Sequence, residues 1–149
     1  MEPVITALQQ SPALFITSSA FLGLLVGSFL NVVIYRLPKM LEKEWHAQCK
    51  QLLYPEKQHV ENGERFNLVL PASSCPKCNH KIRAWENIPV ISYLLLRGKC
   101  SGCGTRISPR YPIIELICGI VTAIAAWHFG FGWQALAAMI LGWALIVLT

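Results

Sequence analysis

The chain has 149 residues, of which 54% are hydrophobic and only 14% are charged. This composition, with a mean hydropathy of +0.44, argues against an ordinary soluble domain and is typical of a membrane protein. All thirteen Lys and Arg residues lie between Arg36 and Arg110, together with six of the eight acidic residues. Such a segregated excess of positive charge is typical of the cytoplasmic side of a membrane protein, so we do not interpret it as nucleic-acid binding.

Three apolar segments are predicted to cross the membrane as helices, at residues 13–35, 113–129 and 133–149. The first is interpreted as a permanent anchor, because no basic residue precedes it and its basic flank comes after it. The second and third are near the short end of the roughly 17–25 residues that span a bilayer. Gly130-Phe131-Gly132 between them suits a tight turn. No polar flank follows the third segment, which is therefore expected to be truncated.

The basic residues next to these segments predict the orientation of the chain. Arg36 and Lys39 directly follow the first segment, and Arg106 and Arg110 directly precede the second. Because Lys and Arg that flank membrane helices accumulate on the cytoplasmic side, residues 36–112 are predicted to be cytoplasmic and residues 1–12 to lie on the opposite side.

The predicted cytoplasmic region contains three further elements. Apolar residues recur at helical spacing over residues 41–53 and predict an amphipathic helix, either at the membrane interface or packed on its own domain. Residues 66–70 precede Pro71 and are predicted to form a short strand. Residues 85–96 are too short to span and too apolar for an exposed loop. They either dock on the membrane surface or its helices, which we favour, or form the core of their own domain.

Four cysteines predict a metal site between the first two apolar segments. Cys75, Cys78, Cys100 and Cys103 form the pattern C-x2-C-x21-C-x2-C, which is close to that of zinc ribbons. Two residues between paired cysteines allow one tight turn to direct both sulfurs at the same ion. Asn79 and Gly104, which follow the two pairs, tolerate the left-handed backbone that such turns need. Four thiolates fill a tetrahedral shell, so the zinc is expected to be structural.

Other interpretations of the six cysteines are weaker. Disulfides need an oxidising compartment, whereas the charge pattern predicts the cytoplasm. A thioredoxin-like site needs one pair in a βαβ setting, and this chain has two pairs without it. We expect His80 to be a solvated loop residue rather than a ligand. Cys49 and Cys118 are expected to be ordinary thiols, the latter in a helix facing lipid or protein.

Polar and small residues inside the apolar segments predict helix packing. Gly23 and Gly27 form a G-x-x-x-G motif, which lets two membrane helices approach closely. Asn31 is polar within the first segment, and Glu115 begins the second. Ionisable residues at such positions are functional candidates, but we expect Glu115 to lie at the interface beside Arg110.

Three motifs and the cysteine pairs together resemble one known family. The motifs are GSFLNVVIYRLP at residues 27–38, WENIP at 85–89 and RYPIIE at 110–115. With C-x2-C-x21-C-x2-C, they resemble the N-terminal half of bacterial type IV prepilin peptidases, from about Gly23 onwards. The resemblance implies a bacterial inner-membrane protein of pilus biogenesis and type II secretion. It also implies type IV prepilins or pseudopilins as substrates, surrounded by inner-membrane lipids.

The resemblance further implies two activities, and this chain departs from the family pattern in one of them. The family cleaves the leader peptide with two aspartates, and many members methylate the new N-terminus with S-adenosylmethionine. This sequence contains no Asp at all, so no catalytic residue is assigned and the chain alone is predicted to be inactive as a peptidase. No methyl-donor residue is assigned either. Two further hypotheses are a membrane-anchored zinc-binding adaptor without catalysis and a membrane thiol oxidoreductase.

Overall fold

A computed structural model of the chain describes residues 2–53, 67–70 and 72–148. The described residues form five α-helices and one short 3-10 helix, and no strand. The helices are α1 (Glu2–Gln10), α2 (Pro12–Leu53), α3 (Ile91–Leu95), α4 (Arg110–Phe129) and α5 (Trp133–Leu148), and the 3-10 helix is Ala84–Asn87. The prediction of a helical protein is confirmed.

Two of these helices, α2 and α4, are long and apolar enough to cross a membrane. Helix α5 is apolar but has only 16 residues. That α5 crosses the membrane as a third spanning helix therefore remains a prediction. Gly130, with φ of 64°, ends α4 in a backbone conformation that favours glycine. The predicted turn at residues 130–132 is confirmed.

Helix α2 is a single helix of 42 residues. It joins the predicted anchor at 13–35 to the predicted amphipathic helix at 41–53, although Pro38 within it lacks the N–H that would bond to the preceding turn. The sequence did not predict this continuity. Helix α2 ends at Leu53, which is also the last residue of the predicted amphipathic helix.

The predicted strand at residues 66–70 is wrong in its described part. Residues 67–70 form a bend, in which the Asn67 side-chain oxygen accepts the backbone N–H groups of Val69 and Leu70 at 2.8 and 2.6 Å. This side chain satisfies the amide groups that a ladder would otherwise use, so the local turn competes with the strand. Phe66 lies outside the described residues.

Helices α2 and α4 pack antiparallel through small residues. A Cβ atom added to Gly27 would lie 2.8 Å from the Cα of Glu115, and one added to Gly23 would lie 2.7 Å from the Cys118 carbonyl oxygen. The two helices therefore approach to backbone contact. This confirms the packing role predicted for the G-x-x-x-G motif and places the buried Cys118 against protein rather than lipid.

Helix α5 packs on α4 through a buried polar contact. The Trp143 indole N–H donates to the Thr122 hydroxyl at 3.0 Å, and that hydroxyl donates to the Cys118 carbonyl at 2.6 Å. Thr122 is completely buried. Because a hydroxyl in an apolar bundle needs partners, this chain of hydrogen bonds fixes the rotation of α5 around α4.

Candidate metal centre

Two matching turns bring the four cysteines together. In the first turn, the Cys75 N–H bonds to the His80 carbonyl and the Asn79 N–H to the Cys75 carbonyl, both at 2.9 Å. In the second, the Cys100 N–H bonds to the Thr105 carbonyl at 2.8 Å and the Gly104 N–H to the Cys100 carbonyl at 2.9 Å. The two turns therefore have the same pattern of backbone hydrogen bonds, with one bond between residues five apart and one between residues four apart in each turn.

The left-handed positions of the two turns are equivalent. Asn79 has φ of 55° and Gly104 has φ of 69°, and each follows the second cysteine of its pair. The sequence prediction for these two residues is confirmed. Glycine and asparagine adopt this conformation at little cost, so the local sequence favours the turn that directs both sulfurs to one side.

The four sulfurs lie close enough together to bind one metal ion. All of them lie within 4.8 Å of one another. The Sγ atoms of Cys75 and Cys103 are 3.8 Å apart, and those of Cys78 and Cys100 are 3.9 Å apart. Zinc–sulfur bonds of about 2.3 Å in a tetrahedron place sulfur atoms about 3.8 Å apart. The cluster is therefore compatible with a four-thiolate zinc ion.

Hydrogen bonds and neighbouring sulfurs shift the pKa values of Cys103 and Cys78 in opposite directions. The hydroxyl and then the backbone N–H of Thr105 lower the pKa of Cys103 to about 6. The His80 backbone N–H lowers the pKa of Cys78, but the neighbouring cysteine sulfurs, Cys103 first, raise it to about 12 overall. Four negatively charged thiolates at this distance repel one another, so all four are not deprotonated together without a cation. A divalent metal removes that conflict, because a coordinated thiol is deprotonated.

A polar cluster links the two turns beside the sulfurs. The Glu86 carboxylate, on the 3-10 helix, accepts the Arg83 backbone N–H at 2.8 Å and the Ser101 hydroxyl at 2.5 Å. His80 Nε2 lies 3.3 Å from the same carboxylate and 3.1 Å from the Ser101 hydroxyl. His80 lies in a loop, as expected, and its side chain is 27% exposed, but these contacts also give it a structural role. It is a bridge between the turns and is not among the clustered metal-binding groups.

The electrostatics of this cluster follow from the same bonds. The Arg83 backbone N–H, then the Ser101 hydroxyl and the His80 ring, lower the pKa of Glu86. Its side chain is only 5% exposed, so the charged carboxylate depends on these donors. Sequence reasoning missed Glu86 and Ser101 as structural partners, since their pairing joins the 3-10 helix to the second cysteine turn.

The cysteine region, residues 72–109, is attached to the helices through Glu115. This side chain is 8% exposed, and its carboxylate accepts the Val90 backbone N–H at 2.7 Å. The Ser28 hydroxyl of α2 is a second hydrogen-bonding partner. Arg110 is exposed, and the partners of Glu115 are Val90 and Ser28 instead of the expected Arg110; the position of Glu115 at the membrane interface stays a prediction. The carboxylate points inward because it caps the turn that precedes α3.

Two other long-range contacts involve residues of α2. The Asn31 side-chain amide donates to the Tyr111 carbonyl at 3.1 Å, which joins α2 to the first turn of α4. The Arg36 guanidinium donates to the Asn67 carbonyl at 2.9 Å, and Arg36 is 7% exposed. Asn31 was identified from the sequence as a polar residue in an apolar helix, whereas Arg36 was interpreted only as a topology signal.

The apolar segment at residues 85–96 is docked on the helices at one end and exposed at the other. Pro89 is buried next to the Val90–Glu115 contact. By contrast, the side chains of Ile91, Leu94 and Leu95 are more than half exposed. This segment contacts α4 at Val90, and its exposed residues do not form a buried core.

Removing the Glu115 carboxylate should loosen the cysteine region. In Glu115→Ala, the Val90 N–H loses its acceptor, and an unsatisfied buried donor costs about 1–3 kcal/mol. Hydrogen exchange followed by mass spectrometry should show faster exchange at residues 88–95. Glu115→Gln, which keeps an acceptor oxygen, should show a smaller effect. Glu42→Ala removes an exposed carboxylate from α2 and should change nothing. Unchanged exchange in Glu115→Ala would contradict the attachment.

The family model and the relatives that match this chain indicate the same family. Residues 21–129 match the family model described as the bacterial peptidase A24 N-terminal domain. A prepilin leader peptidase/N-methyltransferase from Stutzerimonas stutzeri is 53% identical over 142 residues, which are 95% of this chain and 48% of that protein. The proteins of the same name from Pseudomonas putida and Neisseria gonorrhoeae are 52% and 53% identical, over 97% and 88% of this chain and 49% and 46% of their own lengths.

The chain spans about half the length of the curated relatives it matches. No solved structure matches it. The matched region contains both cysteine turns, the Glu115 contact and the glycines of the α2–α4 interface. The resemblance stated from the sequence motifs is therefore confirmed, and the chain belongs to the bacterial peptidase A24 N-terminal domain family.

Proposed function

We propose that this chain is the N-terminal region of a prepilin leader peptidase/N-methyltransferase of the bacterial inner membrane. The observation that carries the proposal is the identity of about half of all residues to proteins of that name over nearly the whole chain. The proposed substrates are type IV prepilins and pseudopilins, in pilus biogenesis and type II secretion. The proposed reactions are leader cleavage and methylation of the new N-terminus.

In this proposal the chain positions the reaction and does not supply its acid and base. Family resemblance implies two aspartates, which can divide general acid and general base roles on one water molecule. None of the 149 residues is an Asp. The hydrolytic carboxylates would come from the half of the relatives that this chain does not match. S-adenosylmethionine is the proposed methyl donor, and no residue of this chain is assigned to it.

Cys75, Cys78, Cys100 and Cys103 are proposed to hold one structural zinc ion. The sulfur separations of 3.8 and 3.9 Å support this. Four thiolates leave no open coordination position for a water molecule or a substrate, so the metal would contribute folding free energy rather than chemistry. Glu115 would then transmit the rigidity of the zinc-bound turns to the membrane helices.

The proposed orientation places the cysteine region in the cytoplasm. Residues 1–12 would be periplasmic, residues 13–35, 113–129 and 133–149 would cross the membrane, and residues 36–112 would form the cytoplasmic zinc-binding domain. The basic residues that flank α2 and α4 support this arrangement. Since α2 continues without interruption to Leu53, its last turns would extend the membrane anchor into the cytoplasmic domain.

A chimera tests the proposal directly. This chain is joined in register to the part of the Pseudomonas putida relative that it does not match, and the product is expressed in a strain that lacks prepilin processing. We expect the leader to be removed, as seen by a shift in prepilin mass on gels, and the new N-terminus to be methylated, as seen by mass spectrometry. The chain alone should cleave nothing, since it has no aspartate.

The same experiment separates the proposal from the adaptor hypothesis. A chimera that inserts in the membrane and retains its zinc, but leaves prepilin uncleaved, would count against the peptidase assignment and favour a non-catalytic adaptor. The matched control carries Cys49→Ser, which removes an exposed thiol outside the cluster, and should cleave normally. A redox-active disulfide among the four clustered cysteines would instead support the oxidoreductase hypothesis.

A further inference from the structure

The short helix α3 carries an apolar surface that nothing in the described chain covers. We call the side chains of Ile91, Leu94 and Leu95 the α3 face, and they are 53%, 67% and 73% exposed. These residues lie in one helical turn, between the two cysteine turns. A contiguous apolar surface of this kind on a structured element marks a contact with lipid or with another protein.

A basic groove lies next to the α3 face. Its volume is about 580 Å³. It is lined by Tyr93, Arg97, Gly98, Lys99, Arg106, Ile107, Ser108 and Pro109. The three cationic side chains are all exposed, and among the described residues no carboxylate lies within ion-pairing distance of them. The groove therefore concentrates positive charge beside Tyr and Ser hydroxyls that can donate to an anion.

Backbone hydrogen bonds make the α3 face and the groove one rigid unit. The Gly98 N–H donates to the Tyr93 carbonyl at 2.9 Å, which folds the chain back directly after α3. The Ile107 N–H donates to the Gly98 carbonyl at 2.8 Å, which closes the other wall. Gly98 has φ of 65°, and a Cβ there would lie 2.8 Å from the Tyr93 ring. The apolar and cationic surfaces are therefore held in a fixed relative position, so that one ligand can contact both.

The position of α3 along α4 indicates what that ligand is. Val90, directly before α3, bonds to Glu115 at 2.7 Å. Glu115 lies five residues after the first residue of α4, which corresponds to about 7.5 Å along the helix axis. The start of α3 is thus level with the first turns of a helix that is long and apolar enough to span a membrane. At this level the bilayer presents acyl chains below and phosphate groups above.

We propose that the α3 face and the basic groove together bind one anionic phospholipid of the cytoplasmic leaflet. The acyl chains would cover Leu94 and Leu95, and the headgroup phosphate would lie among Arg97, Lys99 and Arg106. Basic pockets beside membrane helices recognise anionic headgroups in this way. The inference rests on the proposed membrane orientation, but it does not depend on peptidase or methyltransferase activity.

Lipid retention by the purified full chain tests the headgroup part of the site. Native mass spectrometry in detergent, with added phosphatidylglycerol or phosphatidylcholine, should show preferential retention of phosphatidylglycerol. Arg97→Gln/Lys99→Gln/Arg106→Gln should lose this preference, by about fivefold for each charge removed. A single Lys99→Gln variant, expected to lose about fivefold, provides the same test with less disturbance to folding. Equal retention of both lipids by the unmodified chain would overturn the proposal.

The matched control removes the same charge from residues 77–83, in and directly after the first cysteine turn. Lys77→Gln/Lys81→Gln/Arg83→Gln replaces three exposed cations that do not line the groove. This variant should retain phosphatidylglycerol like the unmodified chain. An equal loss in the control would show that total charge, not the groove, selects the lipid. Displacement of the lipid by inorganic phosphate would show a site for soluble anions and would also overturn the proposal.

Photocrosslinking in bacterial membranes tests the apolar part of the site. A benzoylphenylalanine residue at position 95 in place of Leu95 should form adducts with lipid, whereas the same residue in place of Lys81 should not. Adducts between position 95 and another protein, without lipid adducts, would overturn the proposal and identify the α3 face as a protein-docking surface. Because neither readout involves prepilin, failure here leaves the proposed peptidase function unaffected.

Discussion

Replacing Cys75 and Cys100 with serine is expected to abolish metal binding and to unfold the cysteine region. Each substitution removes one ligand from a different turn, so the remaining two sulfurs belong to separate turns and cannot complete a tetrahedral shell. Structural zinc contributes folding free energy directly, and apparent values of about 10–16 kcal/mol are typical of zinc-finger peptides. This is far more than the hydrogen bonds of the Glu86 cluster can replace, at about 0.5–3 kcal/mol each.

Metal analysis and limited proteolysis measure this effect. The unmodified chain should hold about one zinc ion, as one four-thiolate shell requires, and should resist cleavage over residues 72–109. The double variant should hold none and be cleaved rapidly there. Cys49→Ser provides the matched control, because Cys49 is exposed on α2 and lies outside the cluster. An intact, protease-resistant cysteine region in the double variant would refute a structural metal.

The substitution Gly27→Ala should destabilise the helix bundle, even though alanine is the better helix former. The added Cβ would lie 2.8 Å from the Glu115 Cα and 2.9 Å from the Cys118 Cβ. A side-chain rotation cannot relieve the first contact, because its partner is backbone, so α2 and α4 must separate. Overpacking of this kind costs about 1–3 kcal/mol, and Gly27→Val should cost more.

Thermal unfolding in detergent measures the loss. Both Gly27 variants should unfold at a lower temperature than the unmodified chain. Gly27→Val should unfold at a lower temperature than Gly27→Ala. Gly132→Ala is the matched control, since a Cβ there meets nothing within 4 Å, and its unfolding temperature should not fall. An unfolding temperature for Gly27→Val equal to that of the unmodified chain would show that α2 and α4 do not pack through Gly27.

The cluster of four cysteines was predictable because its determinants are local. Each C-x-x-C pair and its following Asn or Gly encode one turn, and the turn aims two sulfurs in the same direction whatever surrounds it. The glycines of the α2–α4 interface were predictable for a similar reason, since the absence of a side chain at Gly23 and Gly27 is itself the packing feature. In both cases the local sequence alone, a spaced cysteine pair or a pair of glycines, indicates the structural role.

The roles of His80, Glu86 and Glu115 were not predictable in the same way. His80 and Glu86 meet Ser101 from the opposite turn, and Glu115 meets Val90 across 25 residues of chain. Charge and spacing suggested Arg110 as the neighbour of Glu115. Burial decided otherwise, because a carboxylate in the helix interface is stabilised by a backbone N–H aimed at it.

By itself, the sequence determined the helical character of the protein, its long apolar segments, the two cysteine turns, the turn at residues 130–132 and the family to which the chain belongs. These follow from hydropathy, short-range backbone preferences and motif spacing, which act within a few residues. Only the tertiary structure decided that α2 continues through Pro38 to Leu53, that residues 67–70 bend, and that Glu115 anchors the cysteine region beside the basic groove. These outcomes depend on which distant donor or apolar surface reaches each residue after the helices have packed, and no local pattern encodes that choice.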